Sequence, residues 1–263
     1  MAQTIACANQ KGGVGKTTTV VNLASQLVRA GDRVLVVDLD PQGNATSGFG
    51  LDRTTLAGSV YDAIVDDVAL EQIIVTTGSG ADLVPSAIAL AGADLELASV
   101  EARERRLARL LRPLLGRYQT ILIDCPPSLG LLTVNALTAA DAVLIPLQSE
   151  YYALEGLTQL LATIDLVRDH LNPRLAIDGV VVTMVDGRTN LSAEVDAEVR
   201  RHLGGLVYST VIPRSVRLSE APSHGLPIDR YAPGSRGADA YAALADEFRA
   251  RRRPTIDRQA VVA

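Results

Sequence analysis

Apolar positions along this chain fall into two alternating kinds of segment. Short, nearly unbroken runs lie at 4–8 (TIACA), 33–40 (RVLVVDLD), 120–126 (TILIDCP), 142–147 (AVLIPL), 179–185 (GVVVTMV) and 206–213 (LVYSTVIP). Continuous apolarity, rather than strict alternation, marks parallel strands covered on both faces, so all six are predicted as buried strands. Between them the spacing turns helical. Thr17 to Ala30 groups Val20, Val21, Leu23, Ala24 and Leu27, then stops at Gly31, a plausible C-terminal cap. Leu154 to Leu171 sets Leu154, Leu157, Leu160, Leu161, Ile164 and Val167 on one stripe. Further helices are predicted over Leu95 to Leu115, Ser192 to Leu203 and Ala238 to Arg251. Strands alternating with helices predict an α/β fold, a doubly wound and mostly parallel sheet flanked by helices. A single domain over 1–253 is expected, followed by a flexible tail over 254–263. Residues 50–95 give no sharp pattern beyond small helices and an extra strand around ADLVPS.

Composition narrows the class. With 48% hydrophobic residues the chain can bury a full core, and with only 3% aromatics that core must be Val, Leu, Ile and Ala. Cys7 and Cys125 sit in or beside apolar runs, without metal-ligand spacing. They read as two buried thiols in a reducing cytosol. The first residues, MAQTIACANQ, lack a basic stretch followed by an apolar one, so no signal peptide is expected, and no apolar run is long enough to cross a bilayer. The formal net charge of -5 means that any DNA binding must come from a local Arg patch.

The chain carries 25 Lys and Arg, yet Lys11 and Lys16 are its only lysines, and both lie in ANQKGGVGKTTTVVN. A strand, a glycine-rich turn and a helix opening at Lys16 and Thr17 form a geometry that holds phosphate. Gly12, Gly13 and Gly15 admit backbone conformations that let successive N–H groups turn inward, and the helix N-terminus adds partial positive charge. Lys16 offers a compact charge to the β- and γ-phosphates, where the planar guanidinium of Arg would be too bulky. The Thr17 hydroxyl can ligate Mg²⁺. The strict P-loop pattern has Gly six positions before its Lys, where this chain has Gln10. The alternative is a glycine-rich turn without a ligand.

Two further segments bring carboxylates. VVDLDPQGN (36–44) ends a predicted strand with Asp38 and Asp40 on one face. For Asp38 a structural or Mg²⁺-side role and a direct role in the chemistry both stay open. ILIDCPPSLG (121–130) ends a buried strand in Asp124, the Walker B arrangement that holds Mg²⁺ through water. A helix cap or a surface turn is the plainer reading there.

KGGVGKTT resembles the deviant Walker A motif of the ParA/MinD group of P-loop ATPases, with Lys11 at its signature lysine. DPQGN, PLQSEYYALEGLTQLL (146–161), TMVDGRTN (183–190) and VIPRSVRLSEAPSHGLPI (211–228) extend the likeness to the ParA/Soj partition branch, from about residue 3 to about residue 245, in short forms without an N-terminal helix-turn-helix. The resemblance implies ATP and Mg²⁺ as cofactors and an ATP-binding loop of Lys11, Gly12, Gly13, Val14, Gly15, Lys16, Thr17 and Thr18. It implies a homodimer that sandwiches two ATP molecules, with Lys11 reaching the partner's phosphates while Lys16 acts in its own subunit. Asp40 would orient the attacking water, and 126–130 would form a second switch. Pro213 and Ser215 would flank the adenine, although the family has Asn where Ser215 stands. The ATP-bound dimer would bind double-stranded DNA without sequence preference through Arg188 and Arg217. Each of these arginines could instead be solvated or locally paired, and Arg200, Arg201 and Arg214 are weaker candidates. A ParB-type centromere-binding protein would stimulate hydrolysis, in the cytoplasm and on the nucleoid.

Other readings share the loop. A membrane-cycling ATPase of the MinD type needs an amphipathic C-terminal helix, and Tyr241, Leu244, Ala245 and Phe248 do form a short stripe before the arginines of FRARRR (248–253). That stripe also fits docking on its own sheet, so no stable membrane association is expected. The arginine run reads as a solvated face matched to the helix dipole, or as an auxiliary DNA contact. A nitrogenase iron-protein type would need cysteines in exposed loops, and a metabolic P-loop enzyme would need a substrate pocket that the sequence does not reveal.

Overall fold

A computed structural model describes residues 2–150, 153–186 and 190–252. One sheet contains β1 (Gln3–Cys7), β2 (Val34–Asp38), β3 (Val75–Thr76), β4 (Asp82–Val84), β5 (Thr120–Asp124), β6 (Ala142–Gln148) and β7 (Ala176–Thr183). Its order is β3-β4-β2-β5-β1-β6-β7, parallel throughout except for the β3–β4 pair. The helices are α1 (Lys16–Arg29), α2 (Asn44–Gly48), α3 (Val60–Asp66), α4 (Ala93–Glu96), α5 (Arg106–Leu111), α6 (Leu131–Ala139), α7 (Ala153–His170), α8 (Asn190–Leu203), α9 (Val216–Glu220), α10 (Ile228–Tyr231) and α11 (Arg236–Arg252).

Alternation along the strands splits the core between two faces. Ile5, Cys7, Val34, Val36, Leu122 and Leu144 pack with Leu23 and Leu27 of α1 and with Tyr241, Leu244 and Phe248 of α11. Ala6, Leu35, Val37, Ile121, Ile123 and Val143 pack on the other face with Leu111, Leu137, Leu160 and Ile164. Burial of each such Val, Ile or Leu contributes roughly 1.5–3 kcal/mol, which is how a core poor in aromatics holds. Both cysteines are buried free thiols, as expected.

This wiring decides where a ligand can sit. From β1 the chain passes to β2, beyond β5, whereas from β5 it crosses to β6 on the opposite side of β1. Connections leaving in both directions open a crevice at the carboxyl ends of the central strands. Register sets Cys7, Asp38 and Asp124 level at that edge.

The structure departs from the sequence pattern in four places. Segment 206–213 is not a strand: isolated bridges join Val180 to Val207 and Val185 to Pro213, and the Tyr208 and Ile212 amides donate to the Val180 and Val182 carbonyls of β7, both at 2.9 Å. Its ladder is diverted because the Ser209 and Thr210 amides donate to the Glu247 carboxylate of α11, both at 2.8 Å, and Pro213 has no N–H to give. The predicted helix over Leu95 to Leu115 is broken into pieces. Ala102 takes a left-handed φ of 50° and Pro113 sits in the last turn, while Arg106 turns inward to the Ile64 and Val65 carbonyls at the end of α3. Helix α6 is absent from the sequence reading, because LLTVNALTA is apolar nearly all round and shows no stripe. The arginine run is not a solvated face. Arg251 stacks on Tyr208 at 3.8 Å and donates to Val207 O at 2.9 Å, Arg252 donates to Thr120 Oγ1 at 2.6 Å, and Arg249 pairs with Asp32 at 3.4 Å. Arg253 and the tail lie outside the described residues.

Two loops meet backbone to backbone at Gly50 (φ +80) and Gly225 (φ +64), so that a Cβ on Gly225 would lie 2.5 Å from the Gly50 Cα. Gly225→Ala is therefore expected to cost about 2–4 kcal/mol through overlap and a disfavoured φ. Thermal melting checks this: a lowered Tm with retained secondary structure is expected, and an unchanged Tm would show that the contact gives way without cost.

Candidate functional site

The loop between β1 and α1 is pinned at both ends. Asn9 donates to Pro146 O at 2.8 Å and accepts the Lys11 amide at 3.0 Å, tying the entry to β6. Thr183 Oγ1 donates to Val14 O at 2.8 Å, tying the middle to β7. Gly13 (φ 77°) and Gly15 (φ 89°) adopt left-handed conformations that a side chain would disfavour. Helix α1 then starts at Lys16 with no acidic residue in its first turn, which leaves its N-terminal partial charge unneutralised.

The two lysines point to different places. Lys16 is 7% exposed and donates to Lys11 O at 3.2 Å, so its ammonium lies inside the loop. The Lys11 side chain is 38% exposed at the rim, where Nζ pairs with Glu150 Oε2 at 2.7 Å. Glu150 is itself held by Gln148 Nε2 at 2.5 Å.

Three carboxylates face the loop from β2, the turn after it, and β5. Asp38 accepts hydrogen bonds from Thr46 N at 2.7 Å, Thr46 Oγ1 at 2.6 Å and Asp40 N at 3.3 Å. It thereby shapes the turn into α2. Burial pushes Asp38 up to about 6 against the pull of the Thr46 and Asp40 hydrogen bonds. Asp40 is 7% exposed, its Oδ1 accepting the Gln42 amide at 2.9 Å and its carbonyl accepting Ser86 Oγ at 2.7 Å. Arg53 clasps the same turn, donating to Gln42 O at 2.6 Å over Gly43, where a Cβ would collide with its side chain.

Asp124 is fully buried, and among the described residues neither of its oxygens accepts a well-formed hydrogen bond, although the Thr17 hydroxyl stands beside it. Burial, then the charge of Asp38, hold its carboxyl well above the usual range. An orphaned buried carboxylate next to a first-turn threonine suits a small hard cation that keeps waters and phosphate oxygens as its remaining ligands. These residues fit Mg²⁺.

A cleft of about 320 Å³ opens beside the loop, lined by Gly15, Thr18, Thr183, Met184, Pro213 and Ser215 among others. Pro213 and Ser215 are thus brought to the loop, as a nucleotide base next to the phosphates would require. Met184, at the cleft edge, has a left-handed φ of 54° that a non-glycine residue adopts only under constraint. Arg217 lies apart from the cleft on α9, its side chain 62% exposed and paired with Glu220 at 3.1 Å. Arg188 lies outside the described residues. Arg200 and Arg201 pair with Asp196 and Glu198 on their own helix.

Residues 2–177 match a family described as an AAA domain. The chain is 57% identical over 251 residues to the sporulation initiation inhibitor protein Soj of Bacillus subtilis, covering 95% of this chain and 99% of that one. It is 50% identical over 258 residues to the chromosome partitioning protein ParA of Myxococcus xanthus, covering 98% and 91%. The chain belongs to the ParA/Soj family. Within the wider P-loop group, the structure superposes on cobyrinic acid a,c-diamide synthase from Mycobacterium smegmatis with bound ATP analog and magnesium. That match has a TM-score of 0.82 and 41% identity over 94% of this chain and 93% of the other.

Several contacts of the site were not singled out in the sequence. Glu150, Thr46, Ser86 and Arg53 hold Lys11, Asp38 and the Asp40 turn, as described above. Glu150 lies within PLQSEYYALEGLTQLL and Thr46 just past DPQGN, but what each of the four holds depends on long-range contacts that no motif spells out.

Proposed function

We propose that this chain is an ATP-dependent DNA-partitioning ATPase that works as a single catalytic unit over 1–253 and dimerises around ATP and Mg²⁺. The observation that carries this reading is the split between the two lysines: Lys16 turned into its own loop, Lys11 displayed at the rim. An exposed lysine at the mouth of a phosphate loop can serve a triphosphate in a second copy. Thr17, and Asp124 through water, would hold Mg²⁺, which neutralises phosphate charge when bound. Lys16 and the loop amides hold the phosphates, and Pro213 and Ser215 flank the base. Asp40, fixed through its carbonyl by Ser86, orients water for in-line attack. Hydrolysis is slow, and a ParB-type centromere-binding protein accelerates it. The protein acts in the cytoplasm on nucleoid DNA.

DNA binding is assigned to Arg217 and Arg188. Pairing two subunits doubles the phosphate contacts, and because affinity scales steeply with the number of phosphates neutralised, the dimer binds far more tightly than a monomer. The apolar stripe Tyr241, Leu244, Ala245 and Phe248 is buried within the molecule, which favours DNA over membrane as the surface engaged. Among the described residues, no helix is long and apolar enough to cross a membrane.

Arg217→Glu tests the assignment. With ATP and Mg²⁺, the variant is expected to lose binding to random-sequence duplex DNA by roughly 10-fold or more while dimerising normally, with a shallower salt dependence. Fluorescence anisotropy over a salt series reads both. Unchanged DNA retention would place the surface elsewhere.

A further inference from the structure

Asp40 opens a tight turn that is held from two sides. On the inner side the Asp40 carbonyl accepts the Gly43 amide at 2.8 Å and Ser86 Oγ at 2.7 Å, while Asp40 Oδ1 accepts the Gln42 amide at 2.9 Å. The next two carbonyls, of Pro41 and Gln42, are met from elsewhere. Arg53 Nη1 donates to both, at 3.3 Å and 2.6 Å. The fit is close, because Gly43 has a φ of +64° and a Cβ on it would lie 2.5 Å from both Cδ and Nη1 of Arg53. A glycine at 43 therefore lets the arginine stem lie against the backbone of the turn.

Arg53 reaches this turn from beyond α2, on a frame of its own. The Gly50 and Leu51 amides donate to Ser47 O at 2.9 Å and Thr46 O at 3.2 Å, which folds the chain back at the end of α2. Asp52 Oδ1 then accepts Thr54 N at 2.9 Å and Thr54 Oγ1 at 2.7 Å, and the Asp52 carbonyl accepts the Thr55 amide at 3.1 Å. Such a side-chain-closed turn fixes the backbone that carries Arg53. Arg53 is exposed, yet it delivers a charged donor to two peptide oxygens, and charged donors make the stronger hydrogen bonds. A side chain so placed adds little to the core. Its effect is local, on the peptides that follow Asp40.

We propose that Arg53 is a positioning residue for ATP hydrolysis: by bridging the Pro41 and Gln42 carbonyls it holds the Asp40 carboxylate in the one orientation that suits the attacking water. This rests on the reading of Asp40 given above, and Arg53 acts only through Asp40. Misplacing a reacting group by about 1 Å can lower a rate roughly 100-fold. A residue outside the phosphate loop can thus govern turnover without contributing to ATP affinity.

The test compares turnover, ATP affinity, dimer mass and melting of the wild type, Arg53→Ala, Asp40→Ala and the double variant. Arg53→Ala is expected to lower kcat roughly 10- to 100-fold, with ATP affinity within a few-fold of wild type and dimer mass unchanged. It should melt like the wild type. Millimolar guanidinium chloride, far below denaturing concentrations, is expected to restore part of the lost kcat, because the free cation can meet the same two carbonyls. It should not raise turnover in the wild type or in Asp40→Ala. The double variant should be no slower than Asp40→Ala alone, since both changes act on one group. A slow Asp40→Ala beside an Arg53→Ala with unchanged or raised kcat would overturn the assignment of Arg53 alone, as would additive losses or no response to guanidinium. Normal turnover in Asp40→Ala would instead overturn the reading on which the assignment rests.

Discussion

Lys16→Ala is expected to raise the Kd for ATP in the presence of Mg²⁺ by roughly 30-fold to several thousand-fold, from a loss of about 2–5 kcal/mol when one partner of a buried charge pair is removed. The reason is local. Lys16 is 7% exposed, and the loop between Lys11 and Lys16 holds only three glycines and Val14, none of which can replace its charge. Isothermal titration with ATP reads the change directly. The Lys16 ammonium also donates to Lys11 O, so melting of the unliganded variant should accompany the titration to separate loss of charge from loosening of the loop. Near-normal ATP affinity in a folded variant would remove the loop from the nucleotide site.

Asp40→Ala should separate binding from turnover. Its expected effect is a fall in kcat of about 10²- to 10⁴-fold, the usual contribution of a positioned acid–base group, with ATP affinity within a few-fold of wild type. The backbone around Asp40 survives the change, since Ser86 holds its carbonyl and Asp38 with Thr46 holds the turn. The bond that is lost is the one the Gln42 amide donates to Asp40 Oδ1. The variant should therefore accumulate as an ATP-bound, DNA-competent dimer. Phosphate release measured beside dimer mass checks both halves, and normal turnover would strike Asp40 from the chemistry.

What the sequence made legible is what short-range patterns encode. Five of the six apolar runs became strands because Val and Ile in unbroken series suit a strand buried on both faces. The sixth, 206–213, had the same composition but lost its ladder to Glu247, a residue distant in sequence. The glycine loop was visible because its conformations and its two lysines are written in adjacent positions. Asp38 remained ambiguous from sequence, and its hydrogen bonds to Thr46 and Asp40 give it a structural part in shaping the turn. The arginine run at the end of α11 was misread because a basic helix end looks the same in sequence whether it faces water or folds back onto Tyr208 and Thr120. Likewise, the lean of Lys11 onto Glu150 joins residues that only the β6 to β1 pairing brings together.

The most direct measurement is the mass in solution of the wild type and of Lys11→Ala, by light scattering with ATP and Mg²⁺, with ADP and with no nucleotide. If each triphosphate is completed by the lysine of a second copy, the wild type doubles in mass with ATP alone, and Lys11→Ala binds ATP yet stays a monomer. A wild type that remains monomeric at saturating ATP, or a Lys11→Ala variant that pairs as readily as the wild type, would contradict it.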